Sequence, residues 1–394
     1  MRFRLVMAAL AALCCLAVAS IATISAQNGE SIRPGVSPER LLRIGGMLDR
    51  RVQAGDVPGT VSLVALDGRI VHFEARGVLD LDSKRQMTKD AIFSLASLTK
   101  PVTAVAVLTL VEEGRVRLAD PVSRFLPEFK DLKVAVSPSR TVAANRPITI
   151  RDLLTHTSGL MGPAQIPTEP AATLTAVIPR FASESLEFQP GAQWMYSNTV
   201  AFDTAARIVE VVSGTTYDRF LRERILDPLG MKDTAHVLDA VRQGRFAARY
   251  DVTASGLRRF QRSDPAGYFG GGWGLYSTAE DYFRFAQMLA NGGEFEGHRV
   301  LSPRAVELMG GVHIPDSLPG RQPGEGWGLG VRVISDNALR NTFLSNGSFG
   351  WSGASGTHFW VDPGKRLVGV FMAGAPAASL RQDFETLVMQ ALTK

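Results

Sequence analysis

The chain has 394 residues, 45% hydrophobic and 21% charged, with 43 basic against 38 acidic side chains and a formal net charge of +5 that falls to +3 once Arg2 and Arg4 are set aside with an apolar leader. That balance is too mild to imply nucleic acid, and no basic run or basic–aromatic interleaving appears. The only cysteines, Cys14 and Cys15, also lie in the leader, which excludes disulfides and thiolate metal sites from the remainder.

Met1-Arg2-Phe3-Arg4 followed by an apolar stretch from Leu5 to Ala26 reads as a secretory signal peptide. Small residues at Ala22 and Ala26 suit cleavage, so the expected protein is exported, to the periplasm or outside the cell, with residues 1–26 removed near Ala26. An uncleaved leader would be the route to a membrane, since no second apolar stretch of spanning length follows. The large Leu13 beside Cys14 argues against lipid attachment there.

Residues 27–394 read as a single catalytic domain. After a polar lead-in over 27–36, Ser37-Pro38-Glu39 gives a cap and a first-turn proline for a helix striped by Leu41, Ile44, Leu48 and Val52. Thr60 to Leu66 and Ile70 to Gly77 predict a hairpin turned by Asp67-Gly68. A strongly apolar run from Val102 to Val111, closed by Glu112-Glu113-Gly114, predicts a buried helix. Lys130 to Pro147 and Gly310 to Gly326 read as long loops. Between them lie a capping box at Thr149 to Asp152, a helix striped by Ala201, Ala205, Ile208, Val209 and Val212 before Gly214, and a helix capped by Ser277 with Glu280. Strands are expected over Gly328 to Ile334, Asn341 to Leu344, Thr357 to Val361 and Leu367 to Met372, the last pair turned by Asp362-Pro363-Gly364-Lys365. The chain finishes on a helix with Leu380, Phe384, Leu387, Val388 and Ala391 on one face. Strands at both ends with helices between predict an α/β fold: a sheet lobe from about 37–95 and 327–394, and an inserted, mainly helical lobe over about 96–326.

Three clusters carry chemistry. In Ser97-Leu98-Thr99-Lys100 the three-residue spacing puts a lysine within reach of a serine hydroxyl at the start of the buried helix. A serine is a weak nucleophile until a neighbouring base takes its proton, and lysine can be that base. Of the eight lysines only Lys100 has a serine three residues before it. The second cluster is Tyr196-Ser197-Asn198, where the phenol can relay a proton and Asn198 can orient a substrate carbonyl and hold the lysine. The third is Gly350-Trp351-Ser352-Gly353-Ala354-Ser355-Gly356, a small-residue loop whose backbone N–H groups can approach a ligand.

These clusters, in this order, resemble the penicillin-binding-protein-like serine hydrolases that include class C β-lactamases, D-alanyl-D-alanine peptidases and family VIII carboxylesterases. The likeness extends to Leu153-Leu154-Thr155-His156-Thr157-Ser158-Gly159-Leu160, Pro228-Leu229-Gly230-Met231 and Gly270-Gly271-Gly272-Trp273-Gly274-Leu275. It implies a β-lactamase-like antiparallel sheet flanked by helices. It further implies Ser97 as the acylated nucleophile, Lys100 as base or its partner, Tyr196 as proton relay, Asn198 as substrate contact, and an oxyanion hole from the N–H groups of Ser97 and Ala354. Trp351, Ser352 and Gly353 fall where β-lactamases carry Lys-Thr-Gly or a close variant. The cation that holds a substrate carboxylate is therefore missing unless Arg262 or Arg332 replaces it, and a tryptophan there suits a neutral group, as in the family's carboxylesterases. The favoured reading is an esterase on short-chain esters, with β-lactams and D-alanyl-D-alanine peptides as the alternative substrates. A catalytically silent peptide binder is a third reading, against which Ser97, Lys100 and Tyr196 are all present.

No metal or other cofactor is implied. His72, His156, His236, His298, His313 and His358 show no paired ligand spacing, and His156 reads as a structural hydrogen-bonder at a helix end. Gly350 to Ala354 nearly matches a nucleophile elbow, but a strand pair rather than a helix is expected after it. Gly270 to Gly274 lacks phosphate-loop spacing and reads as a tight turn or an active-site wall.

Overall fold

The computed structural model describes residues 35–393 except 163–168, 170–171, 262–266 and 377; the leader lies outside the described residues. Helix α1 (Pro38–Gln53) starts where expected, the Ser37 hydroxyl accepting the Arg40 N–H at 3.3 Å. Strands β1 (Gly59–Leu66) and β2 (Arg69–Gly77) form the hairpin, and Asp67 and Gly68 adopt φ of 53° and 75°, the two left-handed residues that a tight primed turn requires. Helix α2 (Thr99–Glu112) is buried all round from Thr99 to Leu110, which is why its sequence shows no polar face.

The middle of the chain is helical. Thr149 and Asp152 form a reciprocal capping box at α3 (Ile150–Thr155), α4 is Leu174–Ser183, and α5 (Val200–Ser213) ends on a left-handed Gly214. Helix α6 (Ala279–Ala290) is capped one residue later than expected, by Thr278 accepting from Asp281 N–H, because adjacent hydroxyls each offer a cap and Ser277 is spent on Thr234. The expected loop at 130–147 contains a short hairpin, Lys133–Ser137 against Arg140–Ala143.

The remaining strands come from the C-terminal part: β3 (Glu325–Trp327), β4 (Arg332–Ile334), β5 (Phe349–Ser352), β6 (His358–Asp362) and β7 (Leu367–Ala373), before α7 (Ala378–Ala391). Two expectations are corrected here. Residues 328–331 leave the sheet, with Gly330 at φ 76°, so the predicted strand survives as β4 alone. Asn341 to Leu344 is not a strand either: Asn341 ends a short helix in the left-handed region at φ 56°. The strand is β5, within the segment read as a small-residue loop. Gly350 belongs to it because a Cβ there would lie 2.1 Å from the Phe359 carbonyl of β6.

All neighbouring strands are antiparallel in the order β3-β4-β5-β6-β7-β1-β2, so the two ends of the chain meet where Leu63 of β1 pairs with Val370 of β7. On one face Ile44 and Leu48 of α1 and Phe384 of α7 cover Trp360 and Phe371. On the other, Phe285 of α6 and the helical body cover Leu63, Phe359 and Val370. With both faces covered, every residue of β1 is buried.

Candidate active site

Ser97 lies in a single tight turn, Ala96–Leu98, that feeds directly into α2. Ala96 before it is left-handed, φ 47°, an unusual conformation for a residue with a Cβ. Surrounding bonds fix that conformation. Leu95 donates its N–H to Leu275 O at 2.9 Å, Thr357 Oγ1 donates to Leu95 O at 2.9 Å, Thr99 Oγ1 to Ala96 O at 2.8 Å, and Tyr282 OH to Leu98 O at 2.8 Å. The hydroxyl is left half-buried.

One turn on, the fully buried Lys100 places Nζ 3.3 Å from Ser97 Oγ. Its other partners are backbone carbonyls, Asn198 O at 2.5 Å and Gly272 O at 2.8 Å. An ammonium has three hydrogens. Two go to the carbonyls and the third points to Ser97; once that proton leaves, the nitrogen's lone pair faces the serine. The arrangement can therefore move a proton along the Ser97–Lys100 line with little motion. Lys100 is thus held by the main chain of Asn198, whereas the Asn198 side chain, expected to hold the lysine, is exposed.

Tyr196 meets Lys100 with its ring, Nζ standing 4.9 Å from the ring centroid. Its hydroxyl takes a 3.2 Å hydrogen bond from the Trp351 indole N–H. Trp351, read from sequence only as suited to a neutral group, is also a donor to the tyrosine oxygen. Around them stand two tryptophans that sequence reasoning missed: Trp327, 4.6 Å from Trp351 edge-on, and Trp194, 5.3 Å from Trp327. His156 is the left-handed C-cap of α3, φ 59°, and its Nδ1 accepts the Ser197 N–H at 3.0 Å, fixing the loop that carries Tyr196. Burial, reinforced by Lys100, pushes the His156 pKa well down, so the ring is neutral as that bond requires.

The third cluster forms the opposite wall. Trp351 and Ser352 end β5, and Gly353 to Gly356 turn back to β6, with Gly353 N–H donating to Thr357 O at 2.8 Å. A Cβ on Gly353 would stand 2.2 Å from Leu95 O, so this turn packs directly on the segment before Ser97. Ser355 Oγ also donates to Ser94 O, so the turn that carries Ala354 is tied to the segment that leads into Ser97. Behind the wall, His358 Nδ1 lies 2.9 Å from both Ser352 Oγ and Trp351 O, and its Nε2 lies 2.7 Å from Glu385 of α7. Of the two arginines considered as replacement cations, Arg332 is drawn away to Glu325 and Glu385, 3.4 and 3.7 Å off, and Arg262 lies outside the described residues. Among the described residues no group of three or more His, Cys, Asp or Glu could hold a metal ion.

Against known families, the model described as Beta-lactamase matches residues 45–387. The chain is 34% identical to Protein Rv1367c of Mycobacterium tuberculosis, and 31% identical to Esterase EstB of Burkholderia gladioli; each match covers 81% of this chain and 86% of the relative. Among solved structures it is similar to "EstCE1, a hydrolase with promiscuous acyltransferase activity", with a TM-score of 0.79 and 25% identity over 89% of this chain and 99% of that one.

Proposed function

The chain belongs to the β-lactamase family, as a serine hydrolase related to penicillin-binding proteins, and from that premise we propose that it is a carboxylesterase acting on short-chain esters through an acyl-enzyme on Ser97. In this reading Lys100 takes the Ser97 proton as Oγ attacks the ester carbonyl. The oxyanion forms against the N–H groups of Ser97 and Ala354, and Tyr196 passes the proton to the leaving alcohol. Water then attacks the acyl-enzyme by the reverse relay and releases the acid. The Trp351 N–H supports the negative charge on Tyr196 Oη while its proton is away. Asn198 and Ser352 contact the substrate from the two sides of the cleft.

One observation carries the substrate class. The place of the β-lactamase lysine is taken by Trp351, whose indole is committed to Tyr196, and the adjacent Arg332 is committed to carboxylates. Lacking a charge-assisted contact to a substrate carboxylate should cost about 2–3 kcal/mol in the transition state, roughly a hundredfold in turnover of penicillin-like compounds. The rings of Trp351, Trp327 and Trp194 favour a neutral acyl or alcohol group instead. Hydrolysis of p-nitrophenyl butyrate beside a chromogenic cephalosporin, with Ser97→Ala as control, tests this. Ester turnover lost in the variant, with little cephalosporin turnover, is expected; a dominant cephalosporin rate would move the protein to the β-lactamase side. The same proposal has the chain exported with its leader removed near Ala26, which N-terminal sequencing of the secreted protein checks. No helix among the described residues is long and apolar enough to cross a membrane.

A further inference from the structure

Among the described residues the hydrogen-bond partners of Lys100 are a hydroxyl and two carbonyls, and a buried carboxylate stands behind one of those carbonyls. Asp203, in the first turn of α5, is 1% exposed. One of its oxygens accepts the Gly272 N–H at 2.8 Å and the other accepts the Tyr268 hydroxyl at 2.7 Å. The carbonyl of that same peptide unit, Gly271 O, accepts Thr103 Oγ1 of α2 at 2.6 Å, so the 271–272 peptide is clamped at both ends. The next carbonyl, Gly272 O, is the one that receives Lys100. Neither glycine could be larger: a Cβ at 271 would meet Phe202 O at 2.3 Å, and one at 272 would meet Thr199 Cα at 2.8 Å.

We propose that Asp203 is a positioning residue for the base: through the 271–272 peptide it aims the Gly272 carbonyl at Lys100 and so holds the ammonium in line with Ser97. The proposal rests on the reading of Lys100 as the base for Ser97. The groups acting on the carboxylate are the N–H groups of Gly271 and Gly272, Tyr268 and Lys100; Tyr217, bonded to Thr103, feels its charge, and His236 lies 3.2 Å from Gly270 O. Lys100 is the cation among them.

Burial raises the Asp203 pKa to about 6, against the pull of the Gly272 N–H, Tyr268 and Lys100. A carboxylate raised above its unfolded value is a liability for folding once the pH climbs past that value, since the unfolded chain then ionises it more easily. At neutral pH its ionisation therefore offsets part of what its bonds to Gly272 N–H and Tyr268 contribute to the fold. The sequence gives no hint of it, because the contact spans 69 residues and the motif it serves is three glycines.

The experiment compares Asp203→Asn, Asp203→Ala and Tyr268→Phe with the wild type, measuring kcat, KM and the pH profile of p-nitrophenyl butyrate hydrolysis together with Tm. In Asp203→Asn the amide oxygen can still accept the Gly272 N–H while the charge is gone. Its Tm at pH 7.5 should be unchanged or higher, KM should stay within about twofold, and kcat should fall about tenfold. A loss in kcat with KM and Tm held is a readout that a merely structural role would not give. Asp203→Ala, which also loses the acceptor, should fall about a further tenfold. An Asp203→Asn enzyme with the wild-type profile and kcat, or one whose activity loss simply follows a lowered Tm, would overturn the proposal. Should Lys100→Ala retain full activity, the reading of Lys100 as base would fail instead, so the two failures are told apart.

Discussion

Ser97 faces two walls made in opposite ways. On the helical side the charged group is held by main-chain carbonyls, Asn198 O and Gly272 O, which the fold supplies whatever side chain follows. On the sheet side the wall is made of side chains: the Trp351 indole on Tyr196, Ser352 on His358, and His358 against Glu385. Under the proposed function the contrast separates two tasks. Proton transfer needs a geometry fixed to a fraction of an ångström, and backbone dipoles locked by close packing deliver it. Substrate choice needs a surface that changes by point substitution, and side chains at the end of β5 deliver that.

Breaking the main-chain wall should cost most. In Gly272→Ala the new methyl would meet Thr199 backbone at 2.8 Å, moving the carbonyl off Lys100, and kcat for the ester should fall about a hundredfold with little change in KM. An enzyme that keeps its rate would mean that the Lys100 acceptors are replaceable. Rewriting the side-chain wall should cost less and change the substrate. Trp351→Lys removes the donor to Tyr196 and restores a cation, so ester turnover should drop about tenfold while turnover of an anionic cephalosporin rises by at least that factor, measured on the same preparation. Unchanged selectivity would show that the cation's position is not what separates the two substrate classes.

The smallest effect belongs to the support of that wall. Burial depresses the His358 pKa, outweighing the nearby Glu385, and His358 with two arginines holds the buried Glu385 below its ordinary value. Both shifts have the same consequence. The unfolded chain takes up protons that the folded one refuses, so stability falls as pH drops below the ordinary histidine value of 6.5, and falls further below the ordinary glutamate value of 4.5. His358→Gln should therefore lose less Tm between pH 7 and pH 5 than the wild type does, with ester kcat within about threefold. An equal loss would assign the acid sensitivity to other histidines, such as the buried His72 and the half-buried His236, each lowered to about 4.

What the sequence made legible follows the same division. Side-chain chemistry with local spacing was readable: Ser97 and Lys100 three apart, the capping box at Thr149 and Asp152, the Asp67-Gly68 turn. Main-chain chemistry was not, because a carbonyl acceptor carries no residue signature; Gly272 read as part of an active-site wall, and its bond to Lys100 went unseen. The misplaced strands have a related cause. Gly350, Ser352 and Gly353 look like loop residues, yet small size at 350 lets β5 lie against β6, while Asn341 to Leu344, apolar enough for a strand, follows a chain reversal at Asn341. Trp194 and Trp327 sit in glycine- and proline-rich stretches with no periodicity, and only the tertiary fold brings their rings together.

The pairing of β1 with β7 sets a clock on the enzyme. Ser97 and Lys100 are synthesised early, but the sheet that carries the opposite wall closes only when Leu367–Ala373, far later in the chain, arrives to pair with Gly59–Leu66. A ribosome-bound chain that already contains Ser97 still lacks that sheet, and truncation before β7 leaves β1 and β6 without the strand that joins them. Completion of the cleft thereby waits on the last strand of the sheet to be made.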